Sequence, residues 1–162
     1  MIYRQLLFFI AATIAALPAG ALAKETDPAI VRVFTGWRDV ASFKHVTEYF
    51  DGRENTRGEA MLRTQPDQRA GYYFLVRITN PGAPVAVNIN VQLVMPAGAK
   101  AREFTFPAEL KSGGGVLNLG FTGTDWPDAK TNPVAWKLEV RSAEGRVLAT
   151  EKSYLWEKPT TP

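Results

Sequence analysis

From Val85 to Met95 the chain reads Val-Ala-Val-Asn-Ile-Asn-Val-Gln-Leu-Val-Met, with a large apolar side chain at every odd position. Small or amide residues fill four of the five even positions. Successive side chains of a strand point to opposite faces, so a period of two buries one face and leaves the other to polar contacts. A helix would instead set the asparagines among the valines on every face. The same alternation recurs in Tyr72, Phe74, Val76 and Ile78, with Arg77 and Thr79 pointing the other way. It recurs again in Val134, Trp136, Leu138 and Val140, opposed by Lys137, Glu139 and Arg141. Phe104 and Phe106 make a shorter run, as do Leu117, Leu119 and Phe121. Ile30–Phe34, Val46–Phe50, Glu59–Thr64 and Arg146–Trp156 are weaker strand candidates.

Turn signals separate these runs at the spacing of all-β folds: Asp51-Gly52, Asn80-Pro81-Gly82, Pro96-Ala97-Gly98, Asn132-Pro133 and Glu144-Gly145. Gly113-Gly114-Gly115 reads as a flexible hairpin connection, and Ser142–Arg146 as a hairpin loop in which glycine supplies a positive φ. Val40–Phe50 is the best helical candidate, or else a turn followed by a strand. Seven to nine short strands with this spacing predict an all-β, antiparallel β-sandwich. In strand count, alternation and spacing over residues 30–157, the chain resembles immunoglobulin-like and fibronectin type III-like sandwiches, without their Cys…Trp…Cys signature. A jelly roll is the alternative topology.

The N-terminus carries a different signal. Met1–Gln5 holds one positive charge, an apolar run follows from Leu6 to Leu17, and Ala21-Leu22-Ala23 closes the segment. A basic start, a short apolar stretch and a small-residue site describe a secretory signal peptide, residues 1–23, cut near Ala23. A membrane anchor would need about 20 apolar residues. The expected mature chain then has 139 residues, with 18 basic against 16 acidic side chains and a net charge of +2. It contains no stretch that reads as a membrane span. Residues 24–29 and 158–162 read as flexible ends around a single domain, 30–157. With no cysteine and no Asn-x-Ser/Thr acceptor, the expected location is the bacterial periplasm or the medium.

Composition narrows the chemistry. Without cysteine there is no thiol nucleophile, zinc ribbon or redox pair. The lone histidine, His45, cannot supply the two or three imidazoles of a histidine metal site. No Gly-x-Ser-x-Gly elbow presents a serine, and Lys111-Ser112 precedes the glycines where a phosphate loop needs them to follow. Arg53, Arg57, Arg63 and Arg69 alternate with Asp51, Glu54, Glu59 and Asp67, so they form no basic stripe for nucleic acid. These readings predict no catalytic residues, no metal and no cofactor.

Aromatic side chains remain as candidates for recognition. Trp126 stands between Asp125 and Asp128 in a Pro- and Asp-rich loop, and Trp37 follows Gly36 just after a strand. An exposed indole beside carboxylates suits a sugar ring, but equally a protein interface or a core plug. Trp126, Asp125, Asp128 and Trp37 are therefore the candidate ligand-binding residues. The leading expectation is an exported, non-enzymatic binding or structural module with a protein or glycan partner. A carbohydrate-binding module and a small carboxylate-dependent hydrolase are the alternatives.

Overall fold

The computed structural model describes residues 27–44, 48–52, 54–56, 58–96, 100–126 and 128–157. Among them are eight strands: β1 (Ala29–Arg38), β2 (Ala60–Arg63), β3 (Gly71–Thr79), β4 (Val85–Val94), β5 (Arg102–Leu110), β6 (Gly115–Thr122), β7 (Ala135–Ser142) and β8 (Val147–Lys152). They form two four-stranded sheets, sheet A in the order β1-β3-β6-β2 and sheet B in the order β5-β4-β7-β8. The chain is an all-β sandwich. Residues 1–26, with the leader segment, and the tail 158–162 lie outside the described residues.

The alternating runs form the strands, and their apolar faces meet between the sheets. Phe74, Val76 and Ile78 of β3 and Leu119 and Phe121 of β6 pack against Ile89, Val91 and Leu93 of β4 and Leu138 and Val140 of β7. Phe121 sits at the centre of the aromatic packing, with ring centroids 4.9 Å from Phe104 and 5.5 Å from both Phe74 and Phe106. These near-perpendicular contacts set ring edges on ring faces, the favourable arrangement for aromatic quadrupoles. Trp136 joins them edge-on to Phe74 at 5.4 Å.

Three expectations need correction. The sandwich is not wholly antiparallel: β2 runs parallel to β6, from Ala60 opposite Leu117 to Arg63 opposite Gly120. A parallel neighbour requires a long crossover, and three strands separate β2 from β6 in the chain. The Gly113–Gly115 turn is not a hairpin within one sheet, because it carries the chain from β5 in sheet B to β6 in sheet A. Buried Asn80 fixes this crossing. Its side-chain amide donates to the carbonyls of Ala83 (2.9 Å) and Lys111 (3.2 Å), and its backbone carbonyl accepts from Gly113 N–H (2.7 Å). Two loops that change sheets are thereby tied by one asparagine. Finally, of the two readings of Val40–Phe50 the helical one holds in part: Ala41–Phe43 is a 3₁₀ turn and Glu48–Asp51 is one helical turn, α1, so no strand runs over Glu48–Phe50. Gly52 closes it at φ +66, donating to the Glu48 carbonyl at 3.0 Å.

The C-terminal strand is shorter than its pattern. Ser153 bonds the Trp136 backbone through both its amide (2.9 Å) and its hydroxyl (2.9 Å), and the chain then turns into a 3₁₀ helix at Tyr154–Glu157. Tyr154 and Trp156 consequently share no strand face. At the other end the chain is held from Asp27, whose carboxylate pairs with both terminal nitrogens of Arg146 at 2.9 Å. None of the described helices is long and apolar enough to cross a membrane.

Candidate functional site

The structure places the sequence-nominated residues around one end of the sandwich, with the polar groups of Trp126, Asp125 and Asp128 engaged by neighbours. Trp126 is 3% exposed, and its ring lies flat on Tyr72 with centroids 4.4 Å apart. Its indole N–H donates to the Thr131 carbonyl at 3.2 Å. Trp37 lies opposite Tyr72 in the β1–β3 ladder and packs against the core. Tyr72 is thus the cross-strand neighbour of Trp37 and the ring on which Trp126 stacks. Asp128 accepts from the backbone amides of Lys130 (2.7 Å) and Thr131 (2.9 Å), and the first of these holds its carboxyl below the usual carboxylate range. Asp125 offers its backbone carbonyl to Arg102 at 2.8 Å, with its carboxylate 3.7 Å from the same guanidinium. These residues are so placed that they shape a loop over the core.

A second assembly covers part of the outer face of sheet A. Tyr73 points away from the main core yet is fully buried. The segment between β1 and β3 folds over it, bringing the Phe43 ring to 4.8 Å. Arg63 Nε donates to the Tyr73 hydroxyl (2.8 Å), which itself donates to the Arg69 carbonyl (2.7 Å). Both terminal nitrogens of Arg63 pair with Glu54, and Arg69 pairs with Glu48 at 2.7 Å. The Arg63 bond holds the Glu54 carboxyl down, while burial pushes the Tyr73 phenol up. Phe43 lies between two guanidiniums, 5.0 Å from Arg38 and 5.3 Å from Arg63. Gly120 makes room for the ring, since a Cβ there would meet Tyr73 at 2.5 Å. This is a clamp that fixes the β1–β3 segment to the sheet.

The other half of that face is open. Arg32 of β1 stands directly opposite Arg77 of β3, and both are exposed. Like charges in directly opposed positions destabilise a sheet. Among the described residues neither forms an ion pair, although Arg63, Arg69, Arg102, Arg141 and Arg146 each meet a carboxylate. Phe34, two residues along the same face, is 58% exposed, with the Arg32 guanidinium 5.4 Å from its ring centroid. Leu75 is its half-buried cross-strand neighbour. Sequence reading did not single out Arg32, Arg77 or Phe34. The side of Arg77 was visible in the alternation, but that Arg32 lies against it depends on the register between strands.

Two further features are polar. On the outer face of sheet B, Glu139 is nearly buried between Lys137 and Arg141, each 2.5 Å away, and they hold its carboxyl below the normal range. A cleft of about 410 Å³ lies beside the start of β2 and the β5–β6 turn, where Glu59, Glu109, Lys111 and Leu117 contribute walls. Comparison with family models, curated proteins and solved structures finds no match to this chain.

Proposed function

We propose that this chain is an exported, non-enzymatic binding module of the immunoglobulin or fibronectin type III kind, working in the bacterial envelope or outside the cell. The strand order supports the finer fold reading. β4–β5 and β7–β8 are hairpins within one sheet, whereas the chain changes sheets after β3, β5 and β6. In a jelly roll most successive strands lie in opposite sheets, so two such hairpins weigh against it. The leader pattern of residues 1–23 supports export.

The observation that carries a binding role is the open half of sheet A, where Arg32 and Arg77 face each other beside exposed Phe34 with no ion-pair partner among the described residues. Cations that destabilise one another in the free protein are satisfied when a partner covers them, and an exposed aromatic with arginine is the usual composition of an interface anchor. A protein partner fits better than a glycan, because the Trp126 ring is covered by Tyr72 and has little surface to offer a sugar.

A photoreactive residue at position 34 and a control at position 109 on β5 test this in intact cells. One discrete adduct at position 34, absent at 109, is expected from the envelope fraction, on a chain whose mass begins at Lys24. Adducts that are absent at 34, or equal at both positions, would count against the reading. A retained leader would count against export.

A further inference from the structure

A sandwich of two open sheets has four edge strands, and the chain treats one of them differently. β2 is four residues long. β5 contains Pro107, which removes a backbone donor from that edge. β8 is six residues long and ends in Glu151 and Lys152. Short length, proline and charge are the ordinary means of keeping an edge from pairing with another chain. β1 has ten residues and no proline, and the charges it carries, Arg32 and Arg38, are both positive. A register irregularity lies between Ile30 and Arg32, and from Arg32 to Arg38 its ladder with β3 is regular. Those seven residues present an extended backbone whose second side has no strand partner among the described residues.

The side chains beside this edge state what could lie along it. On the outer face the rows running into β1 are Arg77–Arg32, Leu75–Phe34 and Tyr73–Gly36. A strand added to β1 would extend each row by one residue, about 5 Å away. Next to Arg32 a carboxylate would relieve the repulsion from Arg77. Next to Phe34 an apolar side chain would cover the exposed ring. Beside Gly36, where a Cβ would have no neighbour within 4 Å, there is open space for a large ring. Aromatic side chains next to glycine are a known way to stabilise a sheet at such a gap.

We propose that β1, from Arg32 to Arg38, is a strand-addition site for an extended acidic segment of a partner protein. Its outward residues alternate in the order acidic, apolar and aromatic opposite Arg32, Phe34 and Gly36. Backbone bonds to the β1 edge supply affinity, and the three side-chain rows supply register. This proposal rests on the binding-module reading and adds to it the contacting edge and the chemistry of the partner. A lipid surface could meet the arginines but could not satisfy the strand's backbone groups.

The test uses the purified protein and a capped synthetic peptide with Glu, Val and Tyr at alternate positions and Thr between them. A second peptide has Lys in place of Glu, and vesicles of anionic phosphatidylglycerol form a third arm. With the acidic peptide, amides within 32–38 should exchange at least tenfold more slowly, and the Lys peptide should bind at least tenfold more weakly. In the Arg32→Glu/Arg77→Glu variant the preference should reverse, with the Lys peptide now the tighter ligand. That gain of binding cannot arise from a folding defect. Failure to protect β1 at millimolar peptide, equal binding of both peptides, unchanged preference in the variant, or binding to vesicles alone would overturn the proposal. If the peptide fails while position 34 still yields a discrete adduct in cells, strand addition is wrong and the binding role survives. If both fail, the binding role is lost as well.

Discussion

At the scale of single residues, two glycines of sheet A separate packing from open surface. Gly120 backs directly onto the Tyr73 ring, so Gly120→Ala must push the ring or bend β6, a strain of about 1–3 kcal/mol. Gly36 meets nothing, and Gly36→Ala should be neutral or stabilising by up to about 1 kcal/mol through lost unfolded-state freedom. Urea unfolding of the two variants measures the contrast, and equal effects would refute this account of the Tyr73 site. Glu54 offers a sharper case. The Arg63 side chain is only 6% exposed, and Glu54 is the carboxylate it pairs with. Glu54→Ala leaves that guanidinium largely desolvated and should cost about 2–4 kcal/mol. Calorimetry or chemical denaturation reads the loss directly. An effect below about 0.5 kcal/mol would mean that Arg63 swings out to water.

At the scale of elements, β4 lies between β5 and β7 in sheet B, and Val87, Ile89, Val91 and Leu93 are all buried. Ile89→Ala should cost about 2–5 kcal/mol, because neighbours held in a sheet collapse poorly into the gap. The segment carrying α1 is attached differently, mainly through the Arg63, Arg69 and Tyr73 clamp. Its amides should exchange by local opening at a free energy below that of global unfolding, while those of β4 exchange only with the whole domain. Native-state hydrogen exchange across low denaturant concentrations distinguishes the two. Identical opening energies for α1 and β4 would show that the clamp is part of the central cooperative unit.

At the scale of the whole molecule, charge pairing sets the acid limit of stability. Glu54 and Glu139 both have folded-state carboxyl affinities for protons below their unfolded value of 4.5, through bonds from Arg63 and from Lys137 and Arg141 respectively. The unfolded chain therefore binds the proton more tightly, and protonation favours unfolding. Their contribution is fully present well above pH 4.5 and is lost as the pH falls through the folded values. The melting temperature should therefore fall as the pH is lowered below 4.5. The Glu54→Gln/Glu139→Gln variant should be less stable at neutral pH and lose less on acidification. A variant curve parallel to the parent's would refute these two groups as the source.

The strands of the core could be read from the sequence because side-chain direction in a strand is local: it alternates residue by residue whatever the strand pairs with. That is why the Val85–Met95 pattern and its counterparts at Tyr72–Ile78 and Trp136–Val140 translate into core-facing strands, although Val134, read as the first residue of the last run, lies before β7 and is exposed. The same local logic made Ser142–Arg146 legible as a hairpin, with Gly145 at φ +88. Pairing is not local. The parallel β2–β6 ladder and the cross-sheet path through Gly113–Gly115 both depend on contacts made far along the chain. Trp126 shows the limit at one residue, since a Pro- and Asp-rich loop is the same string whether its indole faces solvent or stacks on Tyr72. Arg32 and Arg77 are 45 positions apart in the chain. The sequence by itself determined that Arg77 would leave the core face of its strand, whereas the side taken by Arg32 follows from the register irregularity after Ile30. Only the tertiary register set the two charges side by side at an open edge, because cross-strand neighbours are chosen by the packing of whole sheets and not by the residues that meet.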